Sequence, residues 1–224
     1  DRTKSRGLGD VYKRQVLGAE ESCTGDPAKR AGNEFSFMMQ AFQNIELLNG
    51  YQIKKIVTGC PHCFNTLKNE YPELGGDFEV IHHTQLINQL IREGKLLLKE
   101  GGSFSGKKIT FHDPCYLGRA NGVYEIPRNV LKKLDAELQE MKRSKAKGLC
   151  CGAGGAQMFK EAESGDKEVN IERTEDALEV KPDVIATGCP FCNTMMTDGV
   201  KYFEKENEIE VKDIAELIAN AADL

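Results

Sequence analysis

The chain has 224 residues, 40% of them apolar and 29% charged, with a net charge of −5. That length allows one large domain or two small ones, and no run approaches the roughly 20 apolar residues of a membrane span. Trp is absent and no basic stripe stands out, which argues against a nucleic-acid binder.

The first 15 residues are set apart. The stretch "SRGLGDVYKRQ" (Ser5 to Gln15) can be spelled by codons ending in AGATGTGTATAAGAGACAG, which looks like a transposase-type sequencing-library adaptor. Residues 1–15 are therefore expected to be foreign to the fold. Without them the balance is 25 basic against 33 acidic residues, and the natural chain is expected to be cut just before Val16. A membrane arm would then have to lie in the missing N-terminal part.

A first module is expected over 16–105, built of strands alternating with helices. Its long helix carries Phe35, Met39, Phe42 and Ile45 at helical spacing, read as core. "IVTGCPHCFNT" (56–66) follows, then "FEVIHHTQLINQL" (78–90), a short strand and an amphipathic helix. "REGKLLLKEGGSFSGK" is expected to link this module to a second one over 106–224. There the pattern predicts strands at 108–112, 137–141, 183–187 and 209–211, with helices near 127–134, 167–179, 190–203 and 213–222. Pro127 suits a first helical turn and Asp213 an N-cap. "IATGCPFCNTM" (185–195) repeats the earlier Gly-Cys-Pro-x-Cys stretch, and "IEVKDIAELIANA" (209–221) repeats the strand and helix after it. Cys23 leads Cys60 by nearly the distance at which Cys151 leads Cys189. The reading is an α/β fold of two tandem, similar Rossmann-like modules with small parallel sheets, the first truncated at its N-terminus.

All eight cysteines fall at the carboxyl ends of predicted strands or at the starts of the next helices, where ligands collect in open α/β sheets. The second module holds Cys115, Cys150, Cys151, Cys189 and Cys192. The first holds Cys23, Cys60 and Cys63, with Ser22 where the first cysteine of a pair would stand. Disulfides fit CxxC at helix starts poorly, and a thioredoxin-like pair needs neither the duplication nor the "CCG" loop. Zinc takes four ligands, so it could suit the first module, while five thiols exceed its needs in the second. An iron–sulfur cluster accounts for the adjacent cysteines better. Its anionic thiolates and sulfides need N–H donors, which Gly152, Gly154, Gly155 and Gly188 would bring close through their backbone.

The order "DPCYLGR" … "CCGAGG" … "GCPFC" resembles the CCG cysteine-rich domain of the B- and D-type components of heterodisulfide reductase and of related iron–sulfur oxidoreductases. The resemblance covers the second module fully and the first apart from its missing beginning. It implies that Cys115, Cys150, Cys151, Cys189 and Cys192 hold a non-cubane [4Fe-4S] cluster serving disulfide/thiol redox chemistry. Relatives on the same plan pass electrons for flavin-dependent hydroxy-acid or glycerol-phosphate dehydrogenases, which is the alternative role. A zinc-stabilised interaction module without redox activity is a third. With Ser22 in its pair, the first module suits a cubane [4Fe-4S] cluster or zinc. Implied partners are a ferredoxin-type iron–sulfur protein or domain, a flavoprotein, or a small sulfur compound. The implied location is cytoplasmic, with membrane association through a partner or the missing N-terminal part.

His112, just before "DPC", is read as a structural histidine bonded to backbone, with cluster tuning or proton donation as the alternative. His82 and His83, aligned with Lys212 and Asp213 of the other copy, are read as structural. Arg119 is read as facing an anionic partner or making a surface ion pair.

Overall fold

A computed structural model describes residues 17–99, 101–161 and 164–224. The expected foreign tail, residues 1–15, lies outside the described residues. In chain order the elements are α1 (Asp26–Arg30), α2 (Glu34–Gly50), β1 (Lys55–Thr58), α3 (Pro61–Asn65), β2 (Glu79–His82), α4 (His83–Arg92), β3 (Lys108–Phe111), α5 (Glu125–Leu131), β4 (Glu137–Leu138), α6 (Val169–Glu179), β5 (Val184–Thr187), α7 (Pro190–Tyr202), β6 (Glu210–Asp213) and α8 (Ile214–Ala222). The expected strand at 137–141 is only two residues long. The others keep their places to within a few residues.

The fold is α/β with two small parallel sheets. One pairs β1 with β2, and the other has the order β4-β3-β5-β6 with every pairing parallel. β5, reading Val-Ile-Ala-Thr, is buried along its whole length, as a central strand covered on both faces should be. The chain runs from β3 outward to β4, then returns to β5 on the other side of β3. That reversal opens a crevice at the carboxyl ends of β3 and β5.

Local chemistry sets the helix starts. Pro61 and Pro190 open α3 and α7 at a position where a missing N–H costs nothing. Asp213 is the expected N-cap of α8: its carboxylate accepts from the Ala215 N–H at 2.8 Å, and Glu216 accepts from the Asp213 N–H at 2.8 Å. His82 plays the same part for α4, with Gln85 accepting from the His82 N–H at 2.9 Å. Strand register pairs Thr58 with His82 and Thr187 with Asp213. His82 thus occupies the place of Asp213, one residue off the expected alignment with Lys212.

The cores of the two modules interlock. Phe37, Ala41, Ile45, Phe64 and Tyr71 pack together with Leu117, which comes from the loop after β3. Ile87 and Ile91 of α4, with Leu96 and Leu98 of the expected linker, pack on the core of Ile109, Phe111, Val184 and Leu217.

The expected core stripe of α2 is corrected. Only Ile45 of that set is buried, while Phe35 is 76% exposed, Met39 47% and Phe42 48%. The buried face is instead Phe37, Ala41, Asn44 and Ile45. β1 pairs on one edge only, so among the described residues no strand lies beside it as β3 lies beside β5. As Cys60 stands to Cys189, so Phe42 stands to Ile171, which is buried in the larger module.

Candidate metal centre

Three loops deliver the second module's cysteines to the crevice between β3 and β5. Cys115 follows β3 in the Asp113-Pro114-Cys115 turn, Cys189 caps α7, and Cys192 lies in the first turn of that helix. Cys150 and Cys151 arrive in the glycine loop. All the cysteines are free thiols, and Cys151, Cys189 and Cys192 are buried.

The turn that carries Cys115 is locked from beneath. Arg128 of α5, itself buried, makes a bidentate pair with Asp113 at 2.7 and 2.8 Å, and the Lys145 N–H donates to Asp113 at 2.7 Å. Arg128 also reaches Glu140 at 2.5 and 2.8 Å. The loop of the adjacent cysteines needs one glycine above all. Gly152 has φ +93°, and a Cβ there would lie 3.3 Å from the Val169 Cβ. Its N–H donates to the Cys150 sulfur at 3.3 Å. Gly155 has φ +67°. Gly154 has neither a left-handed backbone nor a neighbour within 4 Å of a Cβ, so its backbone does not need glycine. At Gly188 a Cβ would lie 3.6 Å from the His82 ring.

The thiols form one continuous file. Cys115 meets Cys150, which meets Cys151; Cys151 meets Cys192, and Cys192 meets Cys189. The file then crosses between modules, because Cys189 meets Cys60 and Cys60 meets Cys63. The Thr24 hydroxyl donates to Cys63 at 3.5 Å. Cys23 is exposed, its sulfur accepting from the Gly25 N–H at 3.4 Å. Ser22 is engaged elsewhere, donating to Asn44 at 2.7 Å.

So many thiols in contact cannot all be anionic, and the site divides the charge. The neighbouring thiols of Cys115 and Cys151 hold Cys150 low, and those of Cys192 and Cys60 hold Cys189 low. Their donors move the other way. Cys151 is pushed up to about 12, first by Cys150, and Cys60 to about 12, first by Cys189. Cys115, Cys63 and Cys192 are raised by the same contacts and by burial. A metal that takes up these sulfurs must therefore displace protons.

The histidines divide by role. His82 is buried between the Gly59 and Gly188 loops, with Nδ1 2.8 Å from the Thr84 hydroxyl, and burial pushes it down to about 3. His83 lies against it with the rings tilted at 51° and their centroids 4.2 Å apart, and pairs with Asp213 at 3.0 Å. His112 is fully buried and is bonded not through a backbone partner, as expected, but to a side chain: the Arg173 Nε–H donates to its Nδ1 at 2.9 Å. Burial, then the Arg173 charge, pushes it down to about 3. A ring nitrogen of His112 and the sulfurs of Cys151 and Cys192 lie within 4.8 Å of one another. Arg119 is exposed and makes no ion pair among the described residues.

Arg173 and Arg128 are both fully buried, which no local pattern signals. A charged residue inside an amphipathic helix reads as solvent-facing, and partners distant in sequence reverse that: Asp113 and Glu140 for Arg128, His112 for Arg173. His62 likewise packs on Tyr116 and Phe191 across the modules, with ring centroids 4.3 and 5.0 Å away.

Comparison with known proteins decides the family. The cysteine-rich domain called CCG matches residues 11–68 and 109–197, well over half of the chain. The chain belongs to the CCG cysteine-rich family. Its relatives in that family include the EtfAB:quinone oxidoreductase of Syntrophomonas wolfei, 46% identical over 211 residues, covering 92% of this chain and 29% of the relative. The probable iron-sulfur-binding oxidoreductase FadF of Bacillus subtilis is 46% identical over 207 residues, covering 92% and 29%. A component of the dihydromethanophenazine:CoB--CoM heterodisulfide reductase of Methanosarcina barkeri is 38% identical over 220 residues, covering 93% and 51%. This CCG chain therefore spans between about a third and a half of the relatives it matches. No helix among its described residues is long and apolar enough to cross a membrane.

Proposed function

We propose that this chain is the iron–sulfur part of an oxidoreductase, in which Cys115, Cys150, Cys151, Cys189 and Cys192 hold a [4Fe-4S] cluster of the non-cubane type. The supporting observation is the unbroken file of sulfurs, longer than the four ligands of zinc and extended by Cys60 and Cys63 of the first module. The donor set is all thiol, partly buried and supplied with an N–H donor from Gly152, which suits sulfide-bridged iron. Such a cluster, when bound, supplies one-electron storage. The chain's own residues do the rest. Asp113 and Arg128 hold the Cys115 turn, and Gly152 offers its amide to a sulfur. The interlocked cores hold the two sets of thiols side by side and largely away from water. Cys23, Cys60 and Cys63 hold a second group, a [4Fe-4S] cluster or zinc.

The redox partner reaction follows the heterodisulfide-reductase pattern: a disulfide takes two electrons and two protons and yields two thiols. The relative named as part of a heterodisulfide reductase supports this reading. A second reading, electron transfer between a flavoprotein and a further acceptor, is supported by the relative named EtfAB:quinone oxidoreductase. Under either, the partner is a ferredoxin-type iron–sulfur protein or domain, or a flavoprotein. The free thiols fit a reducing compartment, the cytoplasm, with membrane association through a partner.

The test is anaerobic purification followed by iron, acid-labile sulfide and zinc analysis. Iron and sulfide in equal amounts are expected; zinc without sulfide overturns the proposal. Reoxidation of the reduced protein by a low-molecular-weight disulfide separates the first reading from the second, in which only the electron-transfer partner reoxidises it.

A further inference from the structure

Among the buried polar atoms without a partner among the described residues, two belong to one hydrogen-bonded pair: Nε2 of His112 and Nη2 of Arg173. Leaving such groups unpaired is costly, so each calls for an account. Arg173 is anchored by its other donors. Nη1 donates to the Arg143 carbonyl at 2.7 Å and to Asp176 at 3.1 Å, and Asp176 is held in turn by Arg143 at 2.7 and 3.0 Å. The guanidinium is therefore fixed in place with Nε–H aimed at His112.

That contact settles which nitrogen of the imidazole carries the proton. A guanidinium has donors only and stays charged. Nδ1 of His112, which accepts from it at 2.9 Å, must present a lone pair. The proton of the neutral ring is then on Nε2. A nitrogen that carries a proton has no lone pair for a metal ion, so the trio of His112, Cys151 and Cys192, close enough on distance to bind one, is not a His-Cys-Cys metal site. The nitrogen left over, Nε2, is an N–H donor with no partner among the described residues, on a ring that brings a nitrogen within 4.8 Å of the Cys151 and Cys192 sulfurs.

We propose that His112 is a fixed N–H donor to the sulfur atoms of the second-module centre, and that Arg173 positions it by imposing this tautomer. The proposal rests on the reading of those cysteines as cluster ligands. Donors to cluster sulfurs favour the more negative, reduced form and so raise the potential. The Arg173 charge lies directly behind the ring and adds to the effect.

Two measurements on the full chain test it. In metal-free, reduced protein labelled with 15N-histidine, long-range proton–nitrogen correlations are expected to show His112 protonated on Nε2; protonation on Nδ1 overturns the proposal. Arg173→Met should release the preference, and Arg173→Lys, which keeps a donor, should retain it in part. In the iron-loaded protein, His112→Leu is expected to lower the reduction equilibrium constant about tenfold, roughly 60 mV for one electron. His112→Gln, which keeps an N–H, should stay closer to the parent. A His112→Leu potential equal to the parent's overturns the proposal; if that variant does not fold, the His112→Gln potential and the tautomer measurement decide. Zinc without sulfide in the parent would overturn the cluster reading alone. The Nε2 proton should then still move downfield when zinc loads the thiols, and an unmoved proton would overturn the donor role too.

Discussion

Cys151 and Cys192 occupy the middle of the thiol file, each touching two other cysteines. Replacing either by Ser is expected to remove most of the iron and sulfide from anaerobically prepared protein, because each loss breaks the file into two pieces. Asp113→Asn acts from one step away. It removes one of the two carboxylates paired with the buried guanidinium of Arg128 while Glu140 stays, so the cost should fall below the ~3–5 kcal/mol of a fully broken buried pair. The expected outcome is a lower denaturation midpoint of the metal-free protein, with the Cys115 turn loosened. His82 and His112 give a pH dependence. Both ordinarily titrate near 6.5 and are held down to about 3 in the fold by burial. The unfolded chain then binds more protons than the folded one as pH falls below 6.5. Stability of the metal-free protein is thus full above that value and is lost progressively toward pH 3. Urea midpoints measured between pH 7 and 5, above the main carboxylate range, check the sign; a flat profile there would contradict it.

Helix α2 shows how an element can read correctly and still face the wrong way. Its length and period are legible in the sequence, but Phe35, Met39 and Phe42 lie on the face that no described strand covers, whereas Phe37 and Ala41 are buried. Met39→Lys is therefore expected to change stability by no more than about 0.5 kcal/mol, the range of ordinary surface changes. Enlarging Ala41 to Leu should destabilise by about 1–3 kcal/mol through overpacking, and thermal melts of the pair give the comparison. α7 carries the reverse case. Gly199 sits in the helix interior, where Ala would ordinarily be favoured by up to about 1 kcal/mol. Here a Cβ would lie 2.0 Å from the Thr174 hydroxyl and 2.9 Å from its Cβ, since α6 and α7 press together at that point. Gly199→Ala is expected to lower the melting temperature, and a rise would show that the helices can part without loss.

At the scale of the molecule, the two modules share cores and sulfurs. α4 belongs to the first module by sequence, yet Ile87 and Ile91 pack against the second core. Leu117 of the second module is buried in the first. Cys60 touches Cys189. Full-chain unfolding is therefore expected as one cooperative transition by calorimetry. Two resolved transitions would mean that the modules are independent. A fragment of residues 106–224 keeps all five cysteines of the proposed cluster but exposes the surface that α4 and the linker cover, and should melt at a lower temperature than the full chain.

The sequence alone determined the α/β class, the repeat, most element positions and the set of cysteines, because each is a local pattern of apolar period, proline placement or residue spacing. It also located Asp213 as a cap, since a cap needs only the residues beside it. What the tertiary structure decided are relations between distant segments. The exposed stripe of α2 depends on whether a strand lies beside β1. The burial of Arg128 and Arg173 depends on Asp113 and His112 arriving from the strand β3 region. The joining of Cys60 to Cys189 depends on packing one module against the other. A charged side chain, a thiol or an apolar face has no fixed meaning until its partner is in place, and those partners meet only in the folded chain.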